Sequence, residues 1–218
     1  SLKKPDPTAT NPRQILGNCW ALLRRPESVG FMLVGSLTYG GLFSFLALIS
    51  FIALDTFGLS SSSAGLLLGS TSVMSWLGGM ANHRITGRWP VRTILRVSTA
   101  VSLASALLVL LAAYLITGGT LAGNAGLAAL MVPMLMYGLS FGITHPSTIV
   151  LYLQPVPQIA GTASAFGASI QMVTGASFAW LASVLYDHNP LAFGYCITLA
   201  GASAFLVYNF VAARHAPH

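Results

Sequence analysis

Long apolar runs separated by short polar breaks organise this chain. Six runs stand out, over 28–54, 64–82, 93–117, 125–152, 160–186 and 190–212. Each matches or exceeds the ~20 residues an α-helix needs to cross a bilayer core, so the pattern predicts six transmembrane helices. The breaks carry turn chemistry: "DTFGLSSSS" after the first run, "TGGTLAGN" after the third, "QPVPQ" after the fourth and "DHNP" after the fifth. Residues 1–27 are polar and Pro-rich and lack the apolar core of a signal peptide. Within them Arg13 to Arg25, with Ile15, Leu16, Trp20, Leu22 and Leu23, suits a short helix lying on a lipid face. Three units result: a leading segment 1–27, a bundle 28–213 and a tail 214–218. The chain begins with Ser1 rather than Met, and reads as a fragment or processed piece.

Composition narrows the class. Of the residues 55% are hydrophobic and only 6% charged, against about 25% charged in a soluble domain. The expected fold is therefore all-α and integral to a membrane. Charge then sets the orientation. Lys3, Lys4, Arg13, Arg24 and Arg25 precede the first run, Arg84, Arg88, Arg92 and Arg96 surround the second break, and Arg214 follows the sixth run. The opposite loops carry only Asp55 and Asp187. By the positive-inside rule both termini are cytoplasmic, which predicts a multi-pass protein of the cell's inner membrane. The net charge of +6 is accounted for by this bias. There is no separate basic patch for nucleic acid. Cys19 and Cys196 fall near opposite membrane faces, too far apart to bridge. No Cys/His cluster has metal spacing, and no cofactor is expected.

Six helices with both ends inside divide into three plus three, the second triplet inverted, as in each half of a major facilitator transporter. Weak internal similarity fits: "GSLTYGGLFSFLALIS" beside "MYGLSFGITHPST", and "GLLLGSTS" beside "GTASAFGAS". Small residues recur one turn apart at Gly65 and Gly69, at Gly161 and Ala165, and at Gly175 and Ala179. Such rows let helix backbones approach closely in lipid.

The stretch "YLQPVPQIAGTASAFGASIQMVTGA" resembles a segment of the Bcr/CflA drug-resistance transporters, a branch of the major facilitator superfamily. Ala160, Gly161, Thr162, Ala163, Ser164, Ala165, Gln171, Met172, Gly175 and Ala176 match that pattern, and Gly142 and Pro146 match the helix before it. The loop "GGMANHRITGRWPVRTIL" resembles the basic loop after the second helix of a major facilitator half, keeping Arg84, Gly87 and Arg88. It has Asn82-His83 where the fuller version has Asp just before the Arg, which weakens a gating salt bridge there. The resemblance covers the chain as the C-terminal half of a twelve-helix protein. It implies that the first and fourth helices line a cavity, that the second and fifth face the other half, and that the partner is an N-terminal six-helix half.

Transport asks for a site near the bilayer midplane rather than covalent chemistry. No catalytic residue is expected, because no nucleophile and base lie at one depth. On the first span Ser36, Tyr39, Phe43, Leu46 and Ser50 share a face; on the fourth Met134, Tyr137, Phe141, His145 and Thr148 do. These stripes suit an apolar ligand with few orienting polar groups, or plain helix packing. Tyr39, Phe43, Ser50, Tyr137, Phe141, His145 and Gln171 are the candidate substrate-binding residues. His145, before the helix-bending Pro146, is either a proton relay or a neutral hydrogen-bonded histidine. Gln171, an amide in lipid, either holds helices together or touches ligand. No charge sits in the middle of any span, so a coupling carboxylate is expected in the other half. The expected function is half of a secondary transporter that exports small amphipathic or cationic organic molecules by proton-coupled alternating access. The alternatives are export of one metabolite and a non-transporting structural or partner half.

Overall fold

The computed structural model describes residues 12–214, with side chains over 17–211. Seven α-helices occupy this stretch: α1 Pro12–Leu23, α2 Pro26–Phe51, α3 Ser61–Ile85, α4 Val91–Thr117, α5 Gly123–Leu153, α6 Ala160–Leu185 and α7 Leu191–Arg214. No β-strand occurs among the described residues. The expectations placed on Lys3 and Lys4, and on the side chains of Arg13, Ile15, Leu16 and Arg214, fall outside them.

Helices α2 to α7 coincide with the six apolar runs, with two differences. The bundle starts earlier than residue 28, because Pro26 opens α2, where a missing N–H costs nothing. At its other end α2 widens into a π-helical turn, Ile52–Thr56. The second difference concerns α3. Five of the helical spans are long and apolar enough to cross a membrane, and α3 is not among them. Its sequence is rich in Ser and Thr, which hydropathy scores as polar. In the structure those hydroxyls turn back on their own helix: Ser70 donates to the Leu67 carbonyl (2.7 Å), Thr71 to Leu67 (3.3 Å), Ser72 to Leu68 (3.1 Å) and Ser75 to Thr71 (3.0 Å). A hydroxyl satisfied this way asks nothing of lipid or water. The whole is an α-helical membrane architecture.

Helices α2 and α5 pack on each other at the centre. The α2 helix also packs on α6 and α7, α5 on α3 and α4, and α4 on α7. This leaves α3 and α6 at the periphery. The span holding α6 is 22% buried, against 56% for α5. Two apolar clusters fill the bundle. One gathers Phe45, Leu48, Met134, Tyr137, Phe193 and Ile197. The other gathers Phe31, Leu95, Tyr152, Ala163 and Tyr208 towards the arginine-bearing end. The α1 helix packs against α6 and α2. Its Leu22 is buried, its Trp20 and Leu23 are exposed, and the Arg24 guanidinium lies 5.5 Å over the Trp20 ring.

Glycine decides the closest crossing. A Cβ on Gly142 of α5 would stand 2.0 Å from the Ser75 carbonyl oxygen, and one on Gly78 of α3 would stand 2.1 Å from that of Leu139. Here two backbones touch. Helix α5 runs unbroken through both Pro133 and Pro146. Pro146 leaves the Gly142 carbonyl without its usual donor, and that residue sits at this crossing. The glycine rows singled out for packing behave differently. Gly65, Gly69 and Gly161 have nothing within 4 Å of an added Cβ, and Ala165 is exposed, so none of them joins helices within this chain. Only Gly175 does, against Phe43 at 3.0 Å and Tyr39 at 3.2 Å.

An ion pair not anticipated from sequence ties the starts of α2 and α4: Arg92 to Glu27. Both side chains are partly exposed, at 43% and 29%. Such a pair contributes about 0.2–1 kcal/mol. Glu27→Gln should therefore lower the thermal midpoint slightly at low salt and by less at high salt, as measured by thermal unfolding in detergent.

Candidate functional site

Four rings from two helices meet where α2, α5 and α6 converge. Tyr39 of α2 stands 4.7 Å from Phe43, 5.8 Å from Phe141 and 6.2 Å from His145, centroid to centroid. Phe141 and His145, one turn apart on α5, are 5.4 Å apart. All four are partly buried. From α6 comes Gln171, buried, whose Oε1 lies 3.2 Å from His145 Nε2. With the amide oxygen towards the ring, His145 Nε2–H donates.

Neighbouring small residues make this convergence possible. Gly35 of α2 leaves room for Thr148 and Gln171: a Cβ there would fall 2.7 Å from Thr148 Oγ1 and 3.4 Å from Gln171 Nε2. Thr148 itself donates to the His145 carbonyl at 2.8 Å. Gly40 accommodates the Phe178 ring and Gly175 the Tyr39 and Phe43 rings. The small grain of α6 thus seats bulky rings from α2, with one amide placed against the imidazole. Chemically this is a mostly apolar group of rings with one imidazole and one amide. It suits broad contact with an organic ligand more than a precise hydrogen-bond pattern.

Tyr39, Phe43, Phe141, His145 and Gln171 are therefore brought together. Two other candidates are not. Tyr137 is fully buried in the core; its hydroxyl donates to the Thr38 carbonyl at 3.0 Å and fills the space that Gly41 leaves open. It faces inward because its position on α5 points at the α2 backbone and Ala200 rather than at the ring group. Ser50 lies about two turns beyond Phe43 along α2 and makes no hydrogen bond into the group.

The basic loop motif sits apart from the rings, at the end of α3. Gly87 adopts φ +97°, a conformation that favours glycine, and the turn is closed by Arg88 N–H and Trp89 N–H donating to the Ile85 carbonyl at 3.0 and 3.2 Å. Arg84 and Arg88 are exposed and form no ion pair among the described residues. Asn82, two residues before Arg84 in this loop, is buried and accepts a hydrogen bond from Ser147 of α5 at 3.0 Å. At the opposite end Asp55 accepts from Tyr186 (3.1 Å) and meets His188 Nδ1 at 3.0 Å, joining the last turn of α2 to the turn after α6. Burial, then the Asp55 carboxylate, pushes the Tyr186 phenol up to about 12, so it remains the donor. Only the shared membrane side of these loops hinted at that cluster. Among the described residues no group of His, Cys, Asp or Glu has metal-binding geometry.

The comparison with known proteins falls on the same reading. The chain is 24% identical over 205 residues to a bicyclomycin resistance protein homolog of Haemophilus influenzae. That match takes in 92% of this chain and 48% of the relative, so the chain spans about half the length of that curated protein. No family model and no solved structure matches.

Proposed function

We propose that this chain is one six-helix half of a secondary transporter of the Bcr/CflA kind, exporting a small organic molecule. The observation that carries the proposal is the meeting of Tyr39, Phe43, Phe141, His145 and Gln171 between the first, fourth and fifth long helices. A ligand would lie against these rings while a second six-helix half, packed on α3 and α6, supplies the other wall. Similarity to a drug-resistance protein over nearly the whole chain supports this. So does the packing pattern, which is unchanged when the first three long helices are exchanged with the last three: α2 on α6 becomes α5 on α3, and α2 on α7 becomes α5 on α4. That is the behaviour expected of a 3+3 inverted repeat. The proposed setting is the inner membrane with both termini cytoplasmic, because all the basic residues cluster on one side. The proposed driving force is a proton gradient, with His145 as the candidate relay in this half.

The test is co-expression with a matching N-terminal half, followed by dye efflux with and without a proton gradient. Efflux that requires both halves and the gradient is the expected result. His145→Ala should reduce efflux and flatten its pH dependence. Unchanged pH dependence would remove the relay, and no efflux with any partner would favour a structural half instead. Gln171→Leu should shift substrate preference towards more apolar dyes, read as a change in the ratio of two efflux rates.

A further inference from the structure

A groove, distinct from the ring site, opens on the outer wall of the bundle. It is ≈ 280 Å³ in volume and lined by Ile85, Trp89, Val97, Val101, Leu139 and Ile143, with Ser98 and Ser140 at its floor. The two serines offer a ligand nothing. Ser98 donates to the Leu95 carbonyl and accepts from Thr144, and Ser140 donates to the Tyr137 carbonyl and pairs with Ser102 at 2.7 Å. The groove therefore presents an apolar wall. On α4 the lining runs from Ile94 to Val101, about 10 Å along the helix, so the groove fits within one leaflet, half of the ~30 Å hydrocarbon core.

Its mouth is marked by charge. Arg88 stands in the hydrogen-bonded turn between the two lining residues Ile85 and Trp89, exposed and in no ion pair among the described residues. Among the described residues the acid at this end of the bundle is Glu27, and Arg92 engages it. Trp89 itself is 57% exposed, as expected of an aromatic at a membrane interface. An apolar slot within one leaflet, with a cation and an indole at its mouth, complements one chemistry: an acyl chain bearing an anionic headgroup.

We propose that this groove binds an anionic phospholipid, with an acyl chain along Val97, Val101, Leu139 and Ile143 and the phosphate on Arg88. The site does not depend on whether the chain transports. The experiment is native mass spectrometry of the full chain in detergent, offered equal amounts of phosphatidylglycerol and phosphatidylcholine with identical acyl chains. The wild-type chain should retain phosphatidylglycerol in preference. Arg88→Gln should weaken that preference about fivefold, while Arg96→Gln, off the groove face of α4, should leave it intact. Val101→Trp, which fills the slot, should reduce retention of both lipids, and Ile143→Trp serves the same purpose if that variant does not fold. Equal retention of the two lipids by the wild type, equal effects of the two arginine changes, or undiminished binding in the filled-groove variant would each overturn the proposal.

Discussion

Tyr137→Ala should be among the most damaging single substitutions in the bundle, costing about 3–5 kcal/mol. The ring is completely buried, packed in the cluster that joins α2, α5 and α7, with its hydroxyl between the Thr38 carbonyl and the open backbone of Gly41. Truncation leaves a cavity that rigid neighbouring helices cannot close. Tyr137→Phe separates the two contributions: it keeps the ring and removes one hydrogen bond, so the expected loss is about 1 kcal/mol. Thermal unfolding in detergent, followed by helical circular dichroism, measures both. Equal losses for the two variants would mean that the hydroxyl, rather than the ring, holds this part of the core.

The second large effect is expected at Gly142. An alanine there puts a carbon 2.0 Å from a backbone oxygen of α3, and a backbone cannot rotate out of the way as a side chain can. Overpacking of this type costs about 1–3 kcal/mol, and the two helices have to separate along the crossing. Gly79→Ala is the control. It lies on the facing helix, yet its nearest neighbour is the Gly142 oxygen at 3.9 Å, an ordinary contact. It should be neutral or slightly stabilising, since alanine is the better helix former. A cysteine cross-linking series between α3 and α5 would show reduced proximity for Gly142→Ala alone.

These residues also show what was readable in advance. Helix positions follow from apolar run length, which is a property of the sequence alone, and all six long helices form where the runs lie. Inward and outward faces do not follow from run length. Tyr137 and Phe141 are one turn apart on the same stripe, yet one fills the core and the other joins the ring group, because α5 packs on α2, α3 and α4 and so has several buried faces. The glycine spacing of α3 and α6 was legible as a motif, but its partner was not: an added Cβ on Gly65, Gly69 or Gly161 meets nothing in this chain, whereas Gly78, beside Gly79, and Gly142, one turn after Gly138, make the closest crossing. Gln171 was visible as an amide in an apolar run, and only the tertiary arrangement brings it to His145, 26 residues away. The Glu27–Arg92 pair was hidden for a similar reason, since Glu27 looks like part of a polar leader until Pro26 is seen to start α2.

The inward-turned hydroxyls of α3 have a mechanical consequence. Because Ser70, Thr71, Ser72 and Ser75 spend their donors on carbonyls of the same helix, α3 offers its neighbours contact without directional bonds along most of its length. Among the described residues, one side-chain hydrogen bond, from Ser147 to Asn82, crosses to α5, and it lies near the end of the helix. A rod pinned at one end and smooth elsewhere can pivot. Small rotations of α3 about Asn82 would shear a glycine-lined contact without breaking a hydrogen bond, which is the low-cost displacement a bundle needs if its walls are to move relative to one another.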